Sequence, residues 1–201
     1  MKLLIVRHAE SQGNATNNYS VKTHDSLSER GLQQASALAD ALKVYEFDRI
    51  CVSPLQRALQ TIAPYLESTG RRGEIWPEIS EACWQERKDE PSATWKTRPA
   101  SLPEDLAPHF TFRDGRAIKA DDPESFEEGL CRVHQAVGLI REVAADPDRS
   151  LLMVTHGHFI RELLNVILET RRIVRFGQDN CGMTLLTFNG TWQMNFCNRR
   201  G

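Results

Sequence analysis

Short apolar runs that stop abruptly on polar residues recur along this chain, and amphipathic stripes separate them. Residues 3–6 run into Arg7 and His8, residues 50–52 into Ser53, and residues 151–154 into Thr155, His156 and Gly157. Runs this short, bounded by polar residues, have the length of strands buried on both faces, as in a parallel sheet. Between them, Leu32, Ala35, Leu38, Ala39 and Leu42 recur at helical spacing behind Ser28, a good N-cap residue. Leu55, Ala58, Leu59, Ile62, Ala63 and Leu66 form a second stripe, with Pro54 expected at the first helical position and Gly70 at the close. Ser125-x-x-Glu128 reads as a capping box ahead of Leu130, Val133, Val137, Ile140 and Val143, a stripe on which His134 is expected to pack. Ile160, Leu163, Leu164, Ile167 and Leu168 form the last stripe. Residues 184–188 and 191–196 flank Asn189-Gly190, a strong hairpin signal.

Alternating strands and helices predict an α/β fold: a three-layer sandwich with a mostly parallel central sheet, helices on both faces and a C-terminal hairpin. Its crossovers should be right-handed. Residues 71–122 break the pattern. Pro77, Pro91, Pro99, Pro103 and Pro108 fall there, with Trp76, Trp84 and Trp95, and no long periodicity survives. The expectation is a single domain over 1–201, with an insertion or lid of short helical pieces at about 71–122.

A net charge of −2 provides no global attraction for nucleic acid or for an anionic membrane, so any affinity for anions must be local. The first apolar run is too short for a signal-peptide core or a spanning helix. Cys51, Cys83, Cys131, Cys181 and Cys197 are odd in number and lack a C-x-x-C pair, which suits reduced thiols in a cytoplasmic protein. His156 and His158 lack companion ligands at a recognisable spacing, so no metal is expected. Oligomeric state is left open.

The carboxyl ends of strands in an open α/β sheet are where ligands bind. Arg7 and His8, Arg57 one turn beyond Ser53, and His156 therefore converge if the strands are parallel. Two planar guanidinium forks match the oxygens of a phosphoryl group, and a neutral imidazole can attack phosphorus. That set suits a small-molecule phosphate ester.

These residues also resemble a family. Arg7-His8-Ala9-Glu10-Ser11-x-x-Asn14 is similar to the R-H-G-E-S-x-x-N signature of the histidine phosphatase superfamily, also called phosphoglycerate-mutase-like. The likeness continues through Leu27-Ser28-x-x-Gly31-x-x-Gln34-Ala35 and Ser53-Pro54-Leu-x-Arg57-Ala58-x-x-Thr61. It extends to Glu124-Ser125 with Arg132-Val133, to Val154-x-His156-Gly157, and to Asn180-Cys181 with Trp192. The resemblance implies that His8 becomes phosphohistidine, that Arg7, Arg57 and His156 bind the phosphoryl group with Gly157 beside them, and that Asn14 lies near the pocket. It also implies that Glu81 is the general acid. Ala9 stands where glycine is commoner. Ala-Cys-Trp-Gln-Glu86 replaces a glycine-containing run, which makes Glu86 the second candidate acid and Glu78 the third. The family's aspartate before Leu27 is displaced, with His24-Asp25 in its place.

The activity so implied is metal-independent hydrolysis of a phosphomonoester on a small metabolite. A phosphoglycerate mutase is the alternative, and only it would call for 2,3-bisphosphoglycerate; no other cofactor is implied. A non-catalytic phospholigand-binding module is the third reading, although binding alone requires no nucleophile. Arg87, Lys88, Lys96 and Arg98, with Trp84 and Trp95, could grip the non-phosphate end of a substrate. His158 is expected at a helix start.

Overall fold

The computed structural model describes residues 1–17, 25–81, 102–113 and 124–200, and the backbone alone at 97–99 and 117–119. Strand β1 (Lys2–Arg7) lies at the heart of the main sheet, parallel to β7 (Ser150–Thr155) on one side. β2 (Arg49–Val52) pairs parallel with β7, β3 (Gly73–Ile75) with β2, and β5 (Phe110–Phe112) with β3. On the other side of β1, β8 (Met183–Phe188) and β9 (Trp192–Arg199) are antiparallel. The order of the seven strands is β5-β3-β2-β7-β1-β8-β9. A separate two-stranded ribbon pairs β4 (Thr97–Pro99) with β6 (Ala117–Lys119).

Successive side chains of a strand point to opposite faces, so a strand apolar at every position feeds two cores. Leu3, Ile5, Leu151 and Met153 pack with α4 (Phe126–Ala144) and α5 (Gly157–Ile167). Leu4, Val6, Leu152 and Val154 pack with α2 (Glu29–Leu42) and α3 (Gln56–Thr69). These two layers of helices enclose the sheet as expected.

Local signals behave as their chemistry dictates. Ser28 caps α2, and the Ser125–Glu128 box caps α4 in both directions. Gly70 closes α3 with φ at 65°, a conformation that side chains with a Cβ avoid. Several expectations need correction. Pro54 lies in the turn ahead of α3, whose N-cap is Leu55. His134 and Leu32 are exposed because the faces of α4 and α2 that carry them turn to solvent. The loop between β8 and β9 has three residues, since Phe188 pairs with Trp192.

The stretch 71–122 also differs from a simple lid. Its β3 and β5 extend the central sheet, and a 3-10 turn at Pro77–Ile79 leads away from β3 towards Glu81. Among the described residues no helix is long and apolar enough to cross a membrane, and no three His, Cys, Asp or Glu side chains cluster as metal ligands would.

Candidate active site

Arg7 and Thr155 are register partners at the ends of β1 and β7, so the residues that follow leave the sheet side by side. The His8 backbone N–H donates to the Thr155 carbonyl at 2.9 Å. The His8 and His156 rings consequently stand 5.1 Å apart, inclined at 54°. β2 ends one strand further along, and its Ser53 N–H donates to the Val154 carbonyl. The turn through Pro54 then opens α3, and Arg57 in its first turn reaches back to His8.

His8 is held in one tautomer. A carbonyl oxygen only accepts, so the 2.7 Å contact between Nδ1 and the Ala9 carbonyl puts the ring proton on Nδ1. Nε2 keeps its lone pair, towards which Arg57 Nε donates at 3.2 Å. Burial, then the charges of Arg57 and Arg7, hold the His8 pKa well below 6.5, against the pull of the Ala9 carbonyl. His156 is wholly buried and contacts Ser53 Oγ through Nε2 at 2.6 Å, while its Nδ1 has no hydrogen-bond partner among the described residues. Burial, Arg57, His8 and Arg7 likewise lower its pKa well below 6.5. Both rings are therefore neutral at neutral pH.

Gly157 packs against Arg7: a Cβ there would lie 3.4 Å from Arg7 Nε. Arg7 donates to the Gln178 carbonyl. Asn14 is chiefly a helix-capping residue, reciprocally bonded with Ser11 at the start of α1 (Gln12–Thr16). Its link to His8 runs through Asn180, whose Nδ2 donates to the His8 carbonyl at 3.0 Å and to Asn14 Oδ1 at 3.3 Å.

Glu81 reaches the first turn of α5. Its Oε1 accepts the Phe159 backbone N–H at 3.0 Å, and its Oε2 lies 3.6 Å from His158 Nδ1. Burial raises the carboxyl's pKa, but the hydrogen bond and charge of His158, with Arg57 and the Phe159 N–H, outweigh it and keep it below 4.5. His158 thus starts a helix as expected and also faces the candidate acid. Glu78 is engaged by Arg113. Glu86, Trp84, Arg87, Lys88, Trp95 and Lys96 lie outside the described residues, as does the side chain of Arg98.

Two residues that the sequence names without a role contribute to the site. Asp25 forms an ion pair with Arg57 Nη1 and accepts the Gln56 N–H at 2.8 Å, so the displaced aspartate lands on the arginine that reaches His8. Thr61, one turn beyond Arg57, donates to the Arg57 carbonyl at 2.6 Å and accepts the Ala9 N–H at 2.9 Å. Its i+4 spacing from Arg57 was the available signal. Two arginines around two neutral imidazoles, with one carboxylate at the edge, make a cup for a tetrahedral oxyanion.

Comparison with known proteins finds relatives of this chain and of its fold. The chain is 37% identical over 81 residues to an adenosylcobalamin/alpha-ribazole phosphatase of Salmonella typhi, a match covering 40% of each chain. It is 31% identical over 179 residues to a 2,3-bisphosphoglycerate-dependent phosphoglycerate mutase of Methylobacterium radiotolerans, covering 82% of this chain and 78% of the other. The structure of the alpha-ribazole phosphatase from Shigella flexneri shares the fold with a TM-score of 0.71 at 22% identity, over 100% of this chain and 98% of that one. The family model for the histidine phosphatase superfamily (branch 1) matches residues 3–199, and the chain belongs to that superfamily.

Proposed function

We propose that this chain is a metal-independent phosphomonoester hydrolase that acts on a small phosphorylated metabolite through a covalent phosphohistidine at His8. The observation that carries the reading is the fixed His8 tautomer, with Nδ1 tied to Ala9 and the Nε2 lone pair facing Arg57 beside a second neutral ring.

In this mechanism Arg7, Arg57 and His156 Nδ1–H hold the phosphoryl oxygens, and Arg57 exchanges its contact with Nε2 for one with the substrate. His8 Nε2 then attacks phosphorus in line, and the bond to the ester oxygen breaks. Protonated Glu81 gives its proton to that oxygen, and the alcohol leaves. In the second half the Glu81 carboxylate takes a proton from water, which attacks the phosphohistidine, releases phosphate and restores His8. Glu81 is ionised at rest, so the first proton arrives with the substrate, whose phosphate ionises a second time near pH 6. Stabilising the transferring charge with preorganised donors is the largest contribution, and each such donor is typically worth about 100- to 1,000-fold in rate.

The likeness to alpha-ribazole phosphatases supports hydrolysis, whereas the likeness to a phosphoglycerate mutase supports the second reading, return of the phosphoryl group to a sugar acid primed by 2,3-bisphosphoglycerate. A reducing cytoplasm suits the free thiols of Cys51, Cys131, Cys181 and Cys197. A panel of phosphomonoesters, assayed for released phosphate with and without chelator, tests the proposal. Turnover that survives the chelator, acid-labile phosphate on quenched enzyme, and loss of both in His8→Ala are expected. Full activity in His8→Ala overturns it, as does isomerisation of 3-phosphoglycerate without net phosphate release.

A further inference from the structure

Arg132, on α4, is the one arginine among the described residues with no exposed surface, and its charge is among those that lower the His156 pKa. A guanidinium taken out of water is costly unless its N–H groups find acceptors. Nε and Nη2 grip the Glu124 carboxylate at 2.6 and 2.7 Å, a bidentate pair in which both side chains are buried. Glu124 is held in place because Ser125 next to it caps the same helix. The remaining donors go to backbone: Nη1 to the carbonyls of Glu78 and Ser80 at 2.9 and 3.0 Å, and Nη2 to that of Glu81 at 2.9 Å. Thr155, the residue before His156, donates its hydroxyl to the intervening Ile79 carbonyl at 2.6 Å.

Four consecutive carbonyls, 78 to 81, are therefore fastened, three by one side chain and the fourth by the strand end that delivers His156. This segment is a single 3-10 turn and its exit, part of no sheet or long helix, and Ile79 is its only residue packed in the core cluster beside α4. We infer that Arg132, oriented by Glu124, is the positioning residue for the general acid, holding the Glu81 backbone so that its carboxylate meets the leaving oxygen. The inference rests on the acid role proposed for Glu81. Lysine has the charge but only three donors on a single nitrogen, so it cannot reproduce a planar fork serving a carboxylate and three carbonyls.

Arg132→Lys and, in case that protein fails to fold, Glu124→Gln are compared with wild type and Glu81→Gln using phenyl phosphate and p-nitrophenyl phosphate. p-Nitrophenolate leaves readily without a proton, whereas phenolate needs the acid. kcat/KM, which reports only the steps through phosphoryl transfer, should fall for phenyl phosphate by about 100-fold, the cost of a misplaced catalytic group. It should fall only slightly for p-nitrophenyl phosphate, and inhibition by inorganic phosphate should stay near the wild-type level, because both variants keep the positive charge that His156 feels and neither replaces a residue of the cup. Arg132→Lys in the Glu81→Gln background should add little. Equal losses on both esters, or weakened phosphate inhibition, reduce Arg132 to a general stabiliser and overturn the inference. If Glu81→Gln itself fails to discriminate the two esters, the acid assignment falls and the inference with it.

Discussion

Asp25, Arg57 and His8 form a line of contacts in which each member orients the next. Arg57 donates to the Nε2 lone pair of His8 and is itself gripped by Asp25, which also accepts the Gln56 N–H. An arginine with a free choice of rotamers would hold neither phosphate nor imidazole well. Asp25→Asn removes the charge at nearly constant shape, and kcat/KM on p-nitrophenyl phosphate should drop by up to about 100-fold through misplacement of Arg57. A full wild-type rate would reduce Asp25 to a bystander. His8, Arg7 and His156 were legible in the sequence because each is announced by the apolar run that delivers it. Asp25 was visible only as a departure from the family pattern, for its partner lies 32 residues further on and no local periodicity links them.

At the scale of elements, Gly31 shows how a helix is docked onto the loop that follows β1. A Cβ at that position would stand 2.0 Å from the Glu10 carbonyl oxygen, so α2 can approach the His8–Ser11 loop only with glycine there. The Glu10 N–H donates to Gln34 Oε1 at 2.8 Å from the next turn of the same helix, fastening the loop from both ends. Gly31→Ala should destabilise the protein by about 1–3 kcal/mol, a typical cost of overpacking. A denaturant melt checks this, and an unshifted midpoint would mean that the loop yields freely. The helices were readable from their stripes and caps. β3 and β5 were not, because three residues hold barely one alternation of a two-residue period, too little for a pattern to show. The hairpin is legible from Asn189-Gly190 but its loop length is not: Phe188 stands opposite Trp192, so the loop takes in Thr191 as well as the dipeptide.

For the whole molecule, two buried neutral imidazoles at the centre of the sheet couple stability to acidity. Their folded pKa values lie well below 6.5, so on acidification the unfolded chain takes up protons that the folded one refuses. Stability is therefore retained above pH 6.5 and declines as pH falls below it towards the folded values, by up to about 1.4 kcal/mol per pH unit for each ring. Thermal melts between pH 7.5 and 5 should show the decline, and His8→Asn should flatten it by one proton; a melting temperature that does not change with pH would contradict the burial of neutral rings. The layer architecture was legible because β1 and β7 are apolar at nearly every position, while the strand order depends on contacts between distant segments. The pairing of Lys2 with Ser150 through Arg7 with Thr155 has a consequence for biosynthesis. A nascent polypeptide that ends short of that second segment lacks β7 and the ring of His156, so under the proposed mechanism the two-ring cup can form only after residue 156 has left the ribosome.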